Sequence, residues 1–113
     1  MDIKEQIHEL SEEMLNNLGR LVAIDSQLGT PAEGMPFGEG PAKVLEEALS
    51  MAASMGFVTK NYENYVGAVD FNEKEKALDI LAHLDVVPGK DECFKSYIKD
   101  GKIYGRGAID DKG

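Results

Sequence analysis

Along the first stretch of the chain, Ile3, Ile7, Leu10, Met14, Leu18, Leu21 and Val22 recur in steps of three and four until the last pair. That spacing lines one face of an amphipathic helix. Asp2 supplies an N-cap and Asp25-Ser26 an end. Gly19 inside such a helix costs about 1 kcal/mol relative to alanine, so a bend or frayed turn is expected there. A second helical face follows at Val44, Leu45, Ala48, Leu49, Ala52 and Met55, with Pro41 as its first helical residue and Gly56 as its stop. Between the two, residues 28–40 hold four glycines and two prolines and read as a loop, with Gly38-Glu39-Gly40 as chain punctuation rather than a phosphate cradle.

Beyond Gly56 the period changes. Phe57, Val58, Thr59, Tyr62, Tyr65, Val66, Val69 and Phe71 are β-formers in two short runs, which predicts a hairpin reversing near Glu63-Asn64. Residues 72–76 form a charged turn. Ala77-Leu78-Asp79-Ile80-Leu81-Ala82 is a nearly continuous apolar run, the pattern of a strand covered on both faces. Asp100-Gly101 separates Tyr97-Ile98-Lys99 from Lys102-Ile103-Tyr104 and predicts a two-residue hairpin. The expected class is α/β, with two helices packed on a mixed β-sheet.

Composition narrows the functional classes. The 113 residues carry 12 Lys and Arg against 21 Asp and Glu, a net charge of −9 with no basic cluster, which argues against a nucleic-acid partner. No apolar run approaches the length of a membrane span, and Met1 to Gln6 lack the basic and apolar regions of a secretory signal, so the expected location is the cytoplasm, with no membrane partner. Cys93 is the single cysteine; it forms no internal disulfide and no thiolate zinc cage, and its acidic neighbours Asp91 and Glu92 discourage a thiolate. It reads as a half-buried small apolar residue. His8 reads as a surface residue of the first helix, and Glu46, Glu47, Glu73 and Glu75 as solvated charges.

The chemistry gathers in two places. The run Ile80-Leu81-Ala82 leads into His83-Leu84-Asp85-Val86-Val87-Pro88, and alternation along an extended chain puts His83 and Asp85 on the same side. A histidine with a carboxylate two positions on suits a metal-ligating imidazole whose other nitrogen is held by an acid. Taken alone, His-x-Asp is more often a histidine satisfied by a local carboxylate. The second place is Gly105-Arg106-Gly107-Ala108-Ile109-Asp110-Asp111-Lys112-Gly113, two adjacent carboxylates after a glycine-rich turn. One carboxylate can bridge two cations, which two-metal sites hold about 3.5–4 Å apart. By itself such a run is more often a solvated helix start.

Together the two segments resemble the zinc-dependent exopeptidase and amidohydrolase family that includes aminoacylase, succinyl-diaminopimelate desuccinylase and glutamate carboxypeptidase. The wording of Asp100-Gly101-Lys102-Ile103-Tyr104 and Gly105 through Gly113 is most similar to the peptidase V or Xaa-His dipeptidase branch. The resemblance extends more weakly through Leu21 to Ser26, Gly56-Phe57 and Tyr65-Val66-Gly67. It implies His83 as a ligand of one zinc, Asp85 as the catalytic-site acid that orients His83, and Asp110 as the carboxylate bridging two zincs, with manganese or cobalt as alternatives. Asp111 receives no ligand role. In that family the metal pair polarises the scissile carbonyl and activates a water served by a glutamate base. The resemblance implies that residues 1–113 are the N-terminal portion of a catalytic domain whose remaining ligands and second domain lie downstream. Such a segment is expected to be inactive alone, to serve in hydrolysis of small peptides when intact, and to self-associate. Deacylation of N-acyl amino acids and a non-catalytic association module are the alternatives. Between Pro88 and Asp100 the chain is several residues shorter than this branch and lacks its tryptophan, with Asp91-Glu92-Cys93-Phe94 in that place.

Overall fold

Asp2 caps the first helix as expected. In the computed structural model, which describes residues 2–113, its side chain accepts from the Glu5 backbone amide at 2.9 Å, and Glu5 reaches back to the Asp2 amide at 3.3 Å. The expected single helix is divided into α1 (Ile3–Glu9) and α2 (Ser11–Val22), which meet at Leu10. Ser11 Oγ donates to the His8 carbonyl at 2.6 Å. A hydroxyl that bonds back to the preceding turn competes with the helical ladder and bends it. The bend therefore falls at Leu10, just ahead of Ser11. Gly19 lies inside unbroken α2, where an added Cβ would stand 3.3 Å from Ser96 Oγ, so its small size serves a close approach.

Helix α3 (Glu39–Ser54) begins two residues before Pro41, which occupies the first turn, where backbone amides have no helical acceptor to lose. The glycines ahead of it permit contact: a Cβ on Gly40 would collide with the Asp25 carbonyl, and one on Gly38 (φ 94°) would lie 2.6 Å from Gly29 Cα. Arg20 ties α2 to α3, its Nε donating to Glu47 Oε1 at 2.9 Å.

Strands β1 (Val58–Tyr62) and β2 (Val66–Asp70) pair antiparallel, with Tyr62 opposite Val66 and Val58 opposite Asp70. Glu63 and Asn64 both have positive φ at the reversal, and the Asn64 side chain donates to the Gly34 carbonyl at 2.7 Å, fastening the hairpin tip to the loop before α3. Across the hairpin face, a Cβ on Gly67 would meet Leu45 and Leu49 of α3 at 2.8–2.9 Å. After a 3-10 turn at Asp91–Phe94, β3 (Tyr97–Lys99) and β4 (Lys102–Tyr104) form the second expected hairpin, turned by Asp100 (φ 53°) and Gly101 (φ 71°). Tyr97 stacks on Tyr104 with ring centroids 4.9 Å apart.

The class is α/β as expected, and the layer arrangement differs in two respects. The strands form two separate antiparallel hairpins rather than one mixed sheet. The apolar run at 77–82 takes no strand pairing among the described residues; Ile80 and Leu81 are 85% and 95% exposed. A buried strand needs partners on its edges and cover on its faces, and no other segment of residues 2–113 supplies them. The core is small: Val22, Val44, Met51, Val86 and Phe94, with the buried polar residues Ser26 and Lys112 among them.

Candidate functional site

Chain geometry at His83 follows from its neighbours. Leu84 and Val86 face inward, Val86 into the core, so His83 and Asp85 alternate to the exposed side, as the sequence predicts, although the segment belongs to no sheet. Ser26 fixes this stretch. Its Oγ donates to the Leu84 carbonyl at 2.7 Å, and its own carbonyl accepts from the Val86 amide at 3.2 Å.

The glycine-rich turn is built from the other side of the same residues. A Cβ on Gly105 would lie 2.5 Å from Val22 Cγ1, and one on Gly107 (φ 90°) would press on Val86 Cγ1 and the Lys112 side chain at 2.9–3.0 Å. Arg106 N–H donates to the Cys93 carbonyl at 2.8 Å and Lys112 N–H to the Gly107 carbonyl at 2.9 Å, closing the turn. The 91–94 stretch thus holds this turn, with Phe94 in the core and Cys93 half-buried. The Asp110–Asp111 peptide bond is cis.

These two supports bring the three expected site residues together. His83 Nε2 stands 2.9 Å from Asp110 Oδ1. His83 Nδ1 lies 3.0 Å from the Asp85 carbonyl and 3.2 Å from Asp85 Oδ1. Asp111 enters through its side chain, which accepts from the His83 backbone amide at 3.2 Å. Both ring nitrogens face acceptors, so the protonated imidazole is favoured. The Asp85 carbonyl is the chief cause holding His83 above its ordinary value; burial opposes the rise, and the Asp110 hydrogen bond and the two carboxylate charges add to it.

The same arrangement bears on a divalent cation. An imidazole nitrogen and a carboxylate oxygen are ordinary zinc donors, and in a tetrahedral site two such donors stand about 3.3 Å apart. The His83–Asp110 separation is within a few tenths of an ångström of that, and Asp85 occupies the other ring nitrogen, as the acid behind a metal-bound histidine does. The donor types fit. Their number is incomplete, for no group of three or more His, Cys, Asp or Glu suited to a metal occurs among the described residues.

Two residues that sequence reasoning passed over complete the site's frame. Ser26 read only as a helix end, and Lys112 only as one charge of an acidic run. Lys112 is 8% exposed, and its Nζ donates to the Leu21 and Ile24 carbonyls at 3.0 and 2.9 Å. Burial pulls its ammonium below the usual lysine value, with the nearby Asp25 carboxylate pulling it back. Beside His83 and Asp85 opens a cleft of about 380 Å³, bordered by Leu28, Phe37, Tyr65 and Val66.

Residues 80–113, a span that contains both His83 and Asp110, match Peptidase family M20/M25/M40. Over all of its length the chain is 40% identical to the Beta-Ala-Xaa dipeptidase of Lactobacillus delbrueckii subsp. lactis and 34% identical to a protein named for dipeptidase activity in Bacillus subtilis, covering 26% of each. A Staphylococcus aureus protein named in the same way is 32% identical over 97% of the chain, which covers 25% of it. Over residues 80–113 the chain is thus similar to that peptidase family, and along its length to proteins named as dipeptidases, of which it spans about a quarter.

Proposed function

We propose that residues 1–113 are the N-terminal part of the catalytic domain of a metal-dependent cytoplasmic dipeptidase. The observation that carries this is the His83 ring held between Asp85 and Asp110, on the segment that matches the peptidase family. His83 Nε2 and Asp110 would hold the metal, with zinc the expected ion and manganese or cobalt the alternatives. When bound, a zinc pair supplies polarisation of the scissile carbonyl and a readily deprotonated water. Asp85 keeps the imidazole in the tautomer that leaves the Nε2 lone pair free. The substrate class is a short peptide, and a dipeptide with an N-terminal β-alanine is favoured by the name of the Lactobacillus relative. The cleft beside His83 offers apolar cover for such a substrate's side chain. The described residues alone supply too few ligands for turnover.

The test is a chimera in which residues 1–113 replace the matching quarter of the Lactobacillus dipeptidase. Hydrolysis of a β-alanyl dipeptide, abolished by His83→Ala or Asp110→Ala with the fold retained, is the expected result. Near-normal turnover in either variant at saturating zinc would make the pair structural.

A further inference from the structure

His83 and Asp110 are poorly held by their own surroundings: their side chains are 49% and 80% exposed. The buried polar or charged side chains among the described residues are Ser26 and Lys112, at 0% and 8% exposure. Each is bonded to one half of the candidate site. Ser26 Oγ takes the carbonyl of Leu84, the residue between His83 and Asp85. Lys112, two positions beyond Asp110, reaches back 91 and 88 positions to the carbonyls of Leu21 and Ile24 at the end of α2. Leu21 lies in the last turn of α2 and Ile24 two residues past its end, where the helix dipole is negative, so a buried ammonium there is well compensated. Burying an ammonium without such partners costs several kcal/mol. The stem of Lys112 runs beneath Gly107, its Cδ and Cγ 3.0 and 3.3 Å from where a Cβ would stand, so the lysine also sets the floor of the turn that carries Asp110.

We infer that Ser26 and Lys112 are positioning residues that hang both halves of the site from residues 21–26, and that this shared post sets the separation of His83 from Asp110. The inference rests on the reading of that pair as the working centre. Its physical content is independent of any bound ion: the pair meets because its two backbones are tied to one short stretch. A lysine that merely caps α2 would leave the His83 ring where it is when removed. A lysine that positions the turn would not.

The experiment is NMR on the 113-residue chain without metal. The readouts are the nuclear Overhauser contacts between the His83 ring and the Asp110 β-protons, together with the His83 imidazole nitrogen shifts. Ring contacts between Phe57 and Phe71, 6.1 Å apart, and between Phe37 and Tyr65, 5.5 Å apart, report the rest of the fold. In Lys112→Met and, separately, Ser26→Ala, the expected result is loss of the His83–Asp110 contact with the aromatic contacts kept. Met51→Ala, a core truncation in α3, is expected to lower stability and leave the His83–Asp110 contact in place. Persistence of that contact in both site variants overturns the inference. So does its loss together with the aromatic contacts in both, which would make the two residues supports of the whole fold. Zinc added to the unsubstituted chain in large excess, at a pH above the His83 midpoint, tests the other reading separately: absence of any shift at His83 under those conditions counts against the metal site and leaves the positioning result unaffected.

Discussion

His83 Nε2 and Asp110 Oδ1, 27 positions apart in the chain, stand 2.9 Å from each other. With Asp85 on the opposite ring nitrogen, that contact stores a proton. A proton on Nε2 and a cation on Nε2 use the same lone pair, so the two compete.

The first expectation concerns pH. In the metal-free chain His83 titrates above the ordinary histidine value of 6.5. Because the folded value is the higher one, the contact's contribution to stability is complete below the unfolded value and disappears as pH rises through the folded one. Asp110→Asn lowers the titration point only in part, since the Asp85 carbonyl is the larger cause. Proton NMR of the ring across pH 5–9 reads this directly, and a midpoint at or below 6.5 in the unsubstituted chain contradicts it.

Zinc binding by residues 1–113 is expected to be weak. Two donors satisfy half of a tetrahedral site, and the Nε2 proton must leave first. Below the His83 midpoint the apparent affinity therefore falls about tenfold per pH unit. Calorimetry should give a shallow isotherm that steepens with pH; a sharp stoichiometric transition would show ligands beyond His83 and Asp110.

Gly107→Ala is expected to destabilise the chain by about 2 kcal/mol. Its φ of 90° is strained for any residue with a Cβ, and that Cβ would press on Val86 and Lys112. Urea unfolding measures the loss. Gly34→Ala, also at positive φ (71°) but with open space around it, should cost less, as only the backbone term applies.

Self-association is the fourth expectation, the occupant being a second copy of the chain. Leu78, Ile80 and Leu81 present an apolar run, broken only by Asp79, that is 78–95% exposed with no ladder partner among the described residues. Exposed runs of this kind pair with another edge or face. Sedimentation equilibrium at micromolar concentration should show a dimer or larger species; a clean monomer of 12.3 kDa opposes it.

Periodicity carried the local structure well. The α3 face, both hairpins and the Asp100-Gly101 turn follow from residues whose preferences and surroundings agree. It misplaced what depends on distant partners. The run at 77–82 has the composition of a covered strand, yet composition says nothing of which segment provides the cover. The bend at Leu10 came from one hydroxyl, that of Ser11, which no hydrophobic pattern registers. The site was legible as two motifs, and alternation rightly put His83 and Asp85 on one side. Their meeting with Asp110 followed only from family resemblance, because 27 positions of intervening chain leave the approach undetermined. Ser26 and Lys112 escaped notice since a buried polar residue has no periodic signature and is recognised by its acceptors.

The post at residues 21–26 also divides the chain by its tolerance to length. Everything from Gln27 to His83 leaves Ser26 and returns to it at Leu84, 58 positions later, so this excursion is a closed loop as far as the site is concerned. Closing a longer loop adds only about 0.6 kcal/mol per doubling. Insertions in its charged turn at 72–76 can therefore accumulate without moving His83 relative to Asp110. A one-residue deletion between Leu21 and Ser26 has no such freedom, because it rotates the Lys112 acceptors and the Ser26 hydroxyl out of register with each other. The short stretch acts as a ruler for the site, and the long excursion is the part that can drift.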